Sequence, residues 1–185
     1  MTAFLTDATT LIIQVIFSLY ILAVLLRFLF QLARADFYNP ISQFLVALTN
    51  PLLKPLRRII PGLFGIDLAS LVLLFTLQCL EVFLISLLNG FSPVLLPLVL
   101  AAVMDLVQLT LNIYFFAILL RVILSWFMPY GMQQNPAGGL LVSLTEPLMR
   151  PARRLIPPVG GLDLSPIVVL VGLQLLQLAL AHLLR

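Results

Sequence analysis

Residues 48–68 read LTNPLLKPLRRIIPGLFGIDL, and residues 144–164 read LTEPLMRPARRLIPPVGGLDL. The two stretches align without a gap, and 12 of their 21 positions are identical. Unrelated stretches of this composition share far fewer residues. A duplication of this kind predicts that the chain contains two copies of one structural unit, and we place them at residues 1–90 and 91–185.

Long apolar runs lie on both sides of each block, at about residues 11–30, 66–89, 103–127 and 163–184. About 20 helical residues cross the roughly 30 Å hydrocarbon core of a bilayer. The chain is 62% hydrophobic and only 9% charged, which excludes an ordinary soluble domain. The sequence therefore predicts an all-α membrane protein with four transmembrane helices, arranged as two tandem helical hairpins of parallel orientation.

The stretch from Pro93 to Ala102 is also apolar, but it is short and contains prolines. We therefore expect an interfacial or re-entrant segment leading into the third span, and not a fifth span.

The basic residues are concentrated in the two loops that connect the spans of each hairpin. These loops carry Arg34, Lys54, Arg57, Arg58, Arg150, Arg153 and Arg154, whereas the opposite ends carry Asp7, Asp105 and Arg185. Because positively charged loops stay in the cytoplasm, the sequence predicts a bacterial inner-membrane protein with both termini in the periplasm.

Each connecting loop has the signals of short helices. Asn39-Pro40 and Asn135-Pro136 pair a capping side chain with a proline at the first helical position. After breaks at Pro51 and Pro147, a second short helix should place three cations on one face. We expect amphipathic interfacial helices whose cations either only fix the topology or bind anionic lipids or a partner. These cations are Lys54, Arg57, Arg58, Arg150, Arg153 and Arg154.

Two aspartates and two arginines lie near the loop ends of the spans. Asp67 and Asp163 are placed to cap the second and fourth spans. Arg27 and Arg121 lie at a similar depth, so we expect Arg27 to pair with Asp67 and Arg121 with Asp163. The alternative is that both arginines extend to the lipid headgroups.

Several polar residues fall inside the apolar runs: Gln78, Glu81, Asn112, Gln174 and Gln177. A carboxyl group within a membrane is expensive to bury, which makes Glu81 a functional candidate. Its depth suggests Gln14, Gln108 and Asn112 as neighbours. The group either joins helices through hydrogen bonds or handles ions or protons.

The sequence has none of the local patterns that indicate catalysis. It lacks the phosphate-binding loop, the His-Glu-x-x-His pair and the Gly-x-Ser-x-Gly elbow, so we expect a non-enzymatic protein without a cofactor or metal. Ten basic residues in short loops are too few for a nucleic-acid surface. The expected partners are anionic lipids, a second copy of the chain or another membrane protein.

The doubled block resembles the YggT family of bacterial and plastid membrane proteins. The residues that carry the resemblance are Pro51, Pro55, Arg57, Arg58, Pro61, Gly65 and Asp67, and again Pro147, Pro151, Arg153, Arg154, Pro157, Gly161 and Asp163. In bacteria the resemblance implies a link to osmotic-stress tolerance and potassium homeostasis. In plastids it implies assembly of membrane complexes and organelle organisation.

Two hypotheses follow. In the first, the chain supports osmotic tolerance and ion balance, and Glu81 with its neighbours lines a hydrated path. In the second, the chain is a scaffold or assembly factor whose basic loops bind lipids or partners. The first predicts that Glu81→Gln is severe, and the second predicts that neutralising Arg57, Arg58, Arg153 and Arg154 is severe.

Overall fold

The computed structural model describes residues 2–63, 65–127, 132–155 and 163–183. These residues form six α-helices and no β-strand, which confirms the all-α prediction. The helices are α1 (Thr2–Leu32), α2 (Pro40–Ile59), α3 (Leu68–Leu88), α4 (Leu95–Phe127), α5 (Pro136–Leu155) and α6 (Ser165–Leu183).

Four of these helices are long and apolar enough to cross a membrane, as predicted. The candidate spans are Phe4–Leu32, Leu68–Leu88, Leu95–Phe127 and Ser165–His182, with mean hydropathies of 2.4, 2.4, 1.9 and 1.7. At most 22% of the residues in any of these apolar windows are buried within the chain. Most apolar side chains of the spans therefore face outward, as they do in proteins surrounded by lipid.

The apolar stretch from Pro93 to Ala102 does not form a re-entrant segment, and no fifth span appears in the described residues. Helix α4 begins at Leu95 and continues without interruption for 33 residues, which is about 50 Å. Pro97 lies in its first turn, where a missing backbone N–H breaks no hydrogen bond within the helix.

Helices α2 and α5 begin as the sequence predicts. The Asn39 Oδ1 atom accepts a hydrogen bond of 3.0 Å from the Ile41 amide, and Asn135 Oδ1 accepts one of 3.0 Å from the Ala137 amide. Proline follows each cap as the first helical residue.

The predicted helix breaks at Pro51 and Pro147 are wrong, because α2 and α5 each run for 20 residues through two prolines. Each helix is hydrogen-bonded to a neighbouring span just before Pro51 or Pro147. Arg27 of α1 donates to Thr49 Oγ1 at 2.6 Å. Arg121 of α4 donates to Thr145 Oγ1 at 2.7 Å. These hydrogen bonds join the turn before each of these prolines to a neighbouring span.

The chain forms two compact units, Met1–Phe28 with Phe44–Val107 and Leu29–Gln43 with Gln108–Arg185. They differ from the predicted division at residue 90, because residues 29–43 belong to the second unit and residues 91–107 to the first. Within the second unit, Asn39 Nδ2 donates to the Pro136 carbonyl at 2.8 Å.

Each unit has its own apolar core. In the first unit, Ile21, Val24, Leu53 and Leu74 are at most 2% exposed. In the second unit the core is built around Ile118, Met149 and Leu173. These cores fix the helices that carry the polar groups described next.

Candidate functional site

The start of α3 is tied to the end of α2 by an ion pair. Asp67 caps α3 by accepting from the Ser70 amide at 3.4 Å, and Arg57 donates to the same carboxyl from both Nε and Nη2. The second unit has the same arginine–aspartate pair, but its aspartate accepts from the amide two residues on instead of three. There Arg153 Nε donates to Asp163 Oδ2 at 2.9 Å, and the Ser165 amide donates to Asp163 Oδ1 at 3.0 Å.

The predicted pairing of Arg27 with Asp67 and of Arg121 with Asp163 is therefore wrong. Arg57 and Arg153 each lie ten residues before the aspartate whose carboxyl group they bind. Each pair lies in the stretch between two successive candidate spans, which we call a connection. Arg27 and Arg121 instead face acceptors on α2 and α5.

These two arginines meet different acceptors in the two units. Arg27 is 8% exposed and donates to Asn50 Oδ1 at 3.0 Å as well as to Thr49. Arg121 donates to Glu146 Oε2 at 3.0 Å as well as to Thr145. The acceptors of Arg27 are thus neutral, whereas Arg121 forms an ion pair with Glu146.

Three carboxyls in the connections have lowered pKa values. Burial raises the pKa of Asp67, but hydrogen bonds from Arg57 and Ser70 outweigh it and leave the net pKa below the ordinary value. The pKa of Asp163 is likewise raised by burial and lowered more by Ser165 and Arg153. Burial also raises the pKa of Glu146, and the neighbouring Arg121 and other arginines bring it below its ordinary value.

Acid is therefore expected to destabilise the protein. A carboxyl with a lower pKa folded than unfolded contributes full stability above its unfolded pKa and loses that contribution as the pH falls through its folded pKa. The melting temperature in detergent should start to fall below about pH 4. Asp67→Asn should melt at a lower temperature at neutral pH and show a smaller further decrease in acid. The same acid decrease in Asp67→Asn and wild type would contradict this role.

Four polar side chains from the candidate spans of the first unit form a cluster, which we call the carboxyl cluster: Ser18, Gln78, Glu81 and Asp105. Gln78 Nε2 donates to Glu81 Oε2 at 3.2 Å and to Asp105 Oδ2 at 3.4 Å, so one amide joins two carboxyls. Ser18 Oγ lies 3.5 Å from Glu81 Oε1 and completes the cluster from α1. Glu81 is 6% exposed and Gln78 is 7% exposed.

The carboxyl cluster lies far from the basic connections. Ser18 is nine residues from Arg27 along α1, about 13.5 Å at the helical rise. Glu81 is 14 residues from Asp67, about 21 Å along α3. In the described part of the chain no lysine, arginine or histidine pairs with either carboxyl of the cluster.

The second unit has a neutral contact at the corresponding place. Gln177 Nε2 donates to Asn112 Oδ1 at 2.9 Å. Asn112 lies nine residues before Arg121, as Ser18 does before Arg27, and Gln177 lies 14 residues after Asp163. The first unit therefore has a serine and a carboxyl group where the second unit has two amides.

Glu81 thus accepts hydrogen bonds from Ser18 and Gln78. Asn112, one of the neighbours expected for Glu81, accepts a hydrogen bond from Gln177. Gln174 is exposed on α6.

Sequence reasoning missed Ser18, Asp105, Thr49, Thr145 and Glu146. The two threonines could have been identified from the sequence, because they occupy equivalent positions of the duplicated block. Ser18 and Asn112 share the 94-residue offset that relates Arg27 to Arg121. Asp105 was assigned to the outer end of the third span, because the start of that helix was placed too late.

The six basic residues of the connections divide into two groups. Arg57, Arg150 and Arg153 form ion pairs with Asp67, Glu146 and Asp163. Lys54, Arg58 and Arg154 are exposed, and no ion pair involves them in the residues that the structure describes. Of the three cations predicted for each copy, two are therefore unpaired in the first copy, Lys54 and Arg58, and one in the second, Arg154.

The comparisons with known proteins agree on one family. The family model described as CCB3/YggT matches residues 6–88 and again residues 91–184. An uncharacterized protein of Pseudomonas aeruginosa is 47% identical over 176 residues, which cover 94% of this chain and 88% of the relative. YggT of Escherichia coli K12 is 34% identical over 179 residues, covering 97% and 92%.

A shorter relative matches only part of the chain. The ycf19 protein of Guillardia theta is 36% identical over 64 residues, which cover 35% of this chain and 69% of that protein. No solved structure matches the chain.

Proposed function

The chain belongs to the CCB3/YggT family, and on that premise we propose that it is a non-enzymatic protein of the bacterial inner membrane that supports osmotic-stress tolerance and potassium homeostasis. The observation that carries this proposal is the carboxyl cluster, in which Gln78 joins Glu81 to Asp105 within the candidate spans.

The energetics of the cluster favour a role with ions. A carboxylate inside a membrane is costly unless a positive charge or a proton neutralises it. Since no described side chain supplies that positive charge to Glu81, which is 6% exposed, a mobile proton or cation is the group that would stabilise it. Occupancy of the cluster would then depend on the ionic conditions on the side of the membrane to which it opens.

The proposal includes two tandem hairpins with their connections in the cytoplasm and both termini in the periplasm. The family model matches the chain twice, which supports the tandem arrangement. The repeated contacts support it as well, because Arg57–Asp67 and Arg153–Asp163 have the same ten-residue spacing. The position of the basic residues in the two connections supports the orientation.

A complementation experiment tests the proposed function. Cells that lack the protein are grown under high osmolarity at limiting potassium, and wild type, Glu81→Gln or Asp7→Asn is supplied in turn. We expect Glu81→Gln to fail and Asp7→Asn to restore growth, because Asp7 is an exposed carboxyl outside the cluster. Equal growth with both variants, at equal protein levels, would contradict the proposal.

The alternative function is a scaffold or assembly factor that binds lipids or partner proteins through the connections. The exposed Lys54, Arg58 and Arg154 favour it, since these charges are not used within the described structure. The two functions predict opposite results in the same assay. A scaffold requires failure of the variant in which the exposed Lys54, Arg58 and Arg154 are neutralised, together with normal growth of Glu81→Gln.

A further inference from the structure

A cavity of about 610 Å³ lies in the second unit between α4, α5 and the start of α6. We propose that this cavity binds the phosphate-bearing headgroup of an anionic membrane lipid. Its volume is within the range of small-molecule sites in proteins. Its polar lining consists of Arg121, Ser125, Gln133, Gln134, Arg153 and Asp163.

The two arginines of the cavity are held in place before any ligand arrives. The Arg121 side chain is 13% exposed and is fixed by Thr145 and by Glu146 at 3.0 Å. Arg153 is fixed by Asp163 at 2.9 Å and by Glu146 at 3.4 Å. A guanidinium group has five N–H donors, so each arginine keeps donors beyond those that these bonds use. Fixed guanidinium groups of this kind suit the oxygens of a phosphate.

The charge around the cavity favours an anion. Of the charged residues that line the cavity, two are arginines, Arg121 and Arg153, and only one is a carboxylate, Asp163. In the first unit, by contrast, Arg27 meets the neutral acceptors Thr49 and Asn50 and is 8% exposed. The arginine of the second unit lines a cavity, and the equivalent residue of the first unit is enclosed.

The remaining walls indicate a lipid and not a free phosphate ion. Ile118, Val122 and Met149 form an apolar side of the cavity next to the arginines. Trp126 lines it as well and is 75% exposed, at the end of a candidate span. Tryptophan is enriched at the level of the headgroups. This combination suits a phosphate together with the glycerol and the first methylene groups of an acyl chain.

Trp126 also supplies the measurement, because it is the only tryptophan in the chain. The full-length protein is reconstituted in phosphatidylcholine vesicles that contain a small fraction of brominated phosphatidylglycerol, whose bromine atoms quench tryptophan fluorescence on contact. The reference is the same fraction of brominated phosphatidylcholine. We expect stronger and saturable quenching by the anionic lipid.

Two arginine variants test whether the cavity is responsible. Arg153→Gln removes a charge that lines the cavity, and it should weaken the apparent affinity for the brominated anionic lipid by about tenfold. Arg154→Gln removes an equal charge from the next position of the same helix, outside the cavity lining, and should change it by less than about twofold.

A third variant keeps every charge, in case Arg153→Gln disturbs the fold by releasing Asp163. Val142→Phe fills the cavity from α5 and should also abolish the saturable quenching. Normal quenching in a Val142→Phe protein that melts like wild type would overturn the proposal.

Three further results would also overturn it. Equal quenching by the two brominated lipids would show no preference for the anionic headgroup. Equal losses in Arg153→Gln and Arg154→Gln would show attraction to surface charge in general. Loss of the quenching on addition of millimolar inorganic phosphate would identify a free anion as the ligand. The site lies in the second unit and the carboxyl cluster in the first, so either proposal can fail without the other.

Discussion

Arg27→Leu is expected to lower the free energy of unfolding by about 3 kcal/mol, because it removes charge-assisted hydrogen bonds from a buried position. Arg27 holds the turn before Pro51 through Thr49 at 2.6 Å and Asn50 at 3.0 Å. Without the guanidinium group, α2 loses these hydrogen bonds to α1 next to Pro51. Chemical denaturation in mixed micelles measures this loss.

The matched control is Arg58→Leu. Arg58 also carries a full positive charge, but it is exposed on α2. Its replacement should change the free energy of unfolding by no more than about 0.5 kcal/mol. Similar losses in Arg27→Leu and Arg58→Leu would show that the hydrogen bond from Arg27 to Thr49 is not important for stability.

Gly138→Ala is the second large effect, and a net loss of about 2 kcal/mol is expected. A Cβ atom at Gly138 would lie 2.0 Å from the Met132 carbonyl oxygen and 2.9 Å from its carbonyl carbon. Both are backbone atoms, so the start of α5 or the chain at Met132 would have to move. Alanine ordinarily stabilises a helix relative to glycine, so a loss of stability on Gly138→Ala would indicate the close contact with Met132.

Gly139→Ala provides the comparison at the next position of the same helix. The nearest atom to its added Cβ is the Gln133 carbonyl oxygen at 3.3 Å, which a small shift accommodates. It should therefore be neutral or stabilising by up to about 1 kcal/mol. A Gly138→Ala protein as stable as Gly139→Ala would mean that α5 does not approach Met132 as described.

The fold was predictable where the local sequence decides it. Apolar run length gave the four candidate spans, and Asn39-Pro40 with Asn135-Pro136 gave the starts of α2 and α5. The helix breaks predicted at Pro51 and Pro147 are wrong, and the turn before each proline is held by an arginine from another helix, Arg27 or Arg121. Tertiary hydrogen bonds of this kind leave no local signal in the sequence.

The candidate site was predictable only in part. Glu81 and Gln78 stood out as polar residues in an apolar run, and both lie in the carboxyl cluster. Asp105 did not, because a helix of 33 residues is longer than a bilayer requires, and its length alone does not say which part crosses the core. Similarly, spacing could not decide whether Arg27 or Arg57 would bind Asp67.

The flux of potassium ions and protons across proteoliposomes tests the role of the carboxyl cluster most directly. Purified wild type, Glu81→Gln and Asp7→Asn are compared under a potassium gradient and an osmotic gradient. We expect flux with wild type and Asp7→Asn, and a decrease of at least about tenfold with Glu81→Gln, the factor that corresponds to 1.4 kcal/mol. Absence of flux with wild type, or undiminished flux with Glu81→Gln, would contradict this expectation.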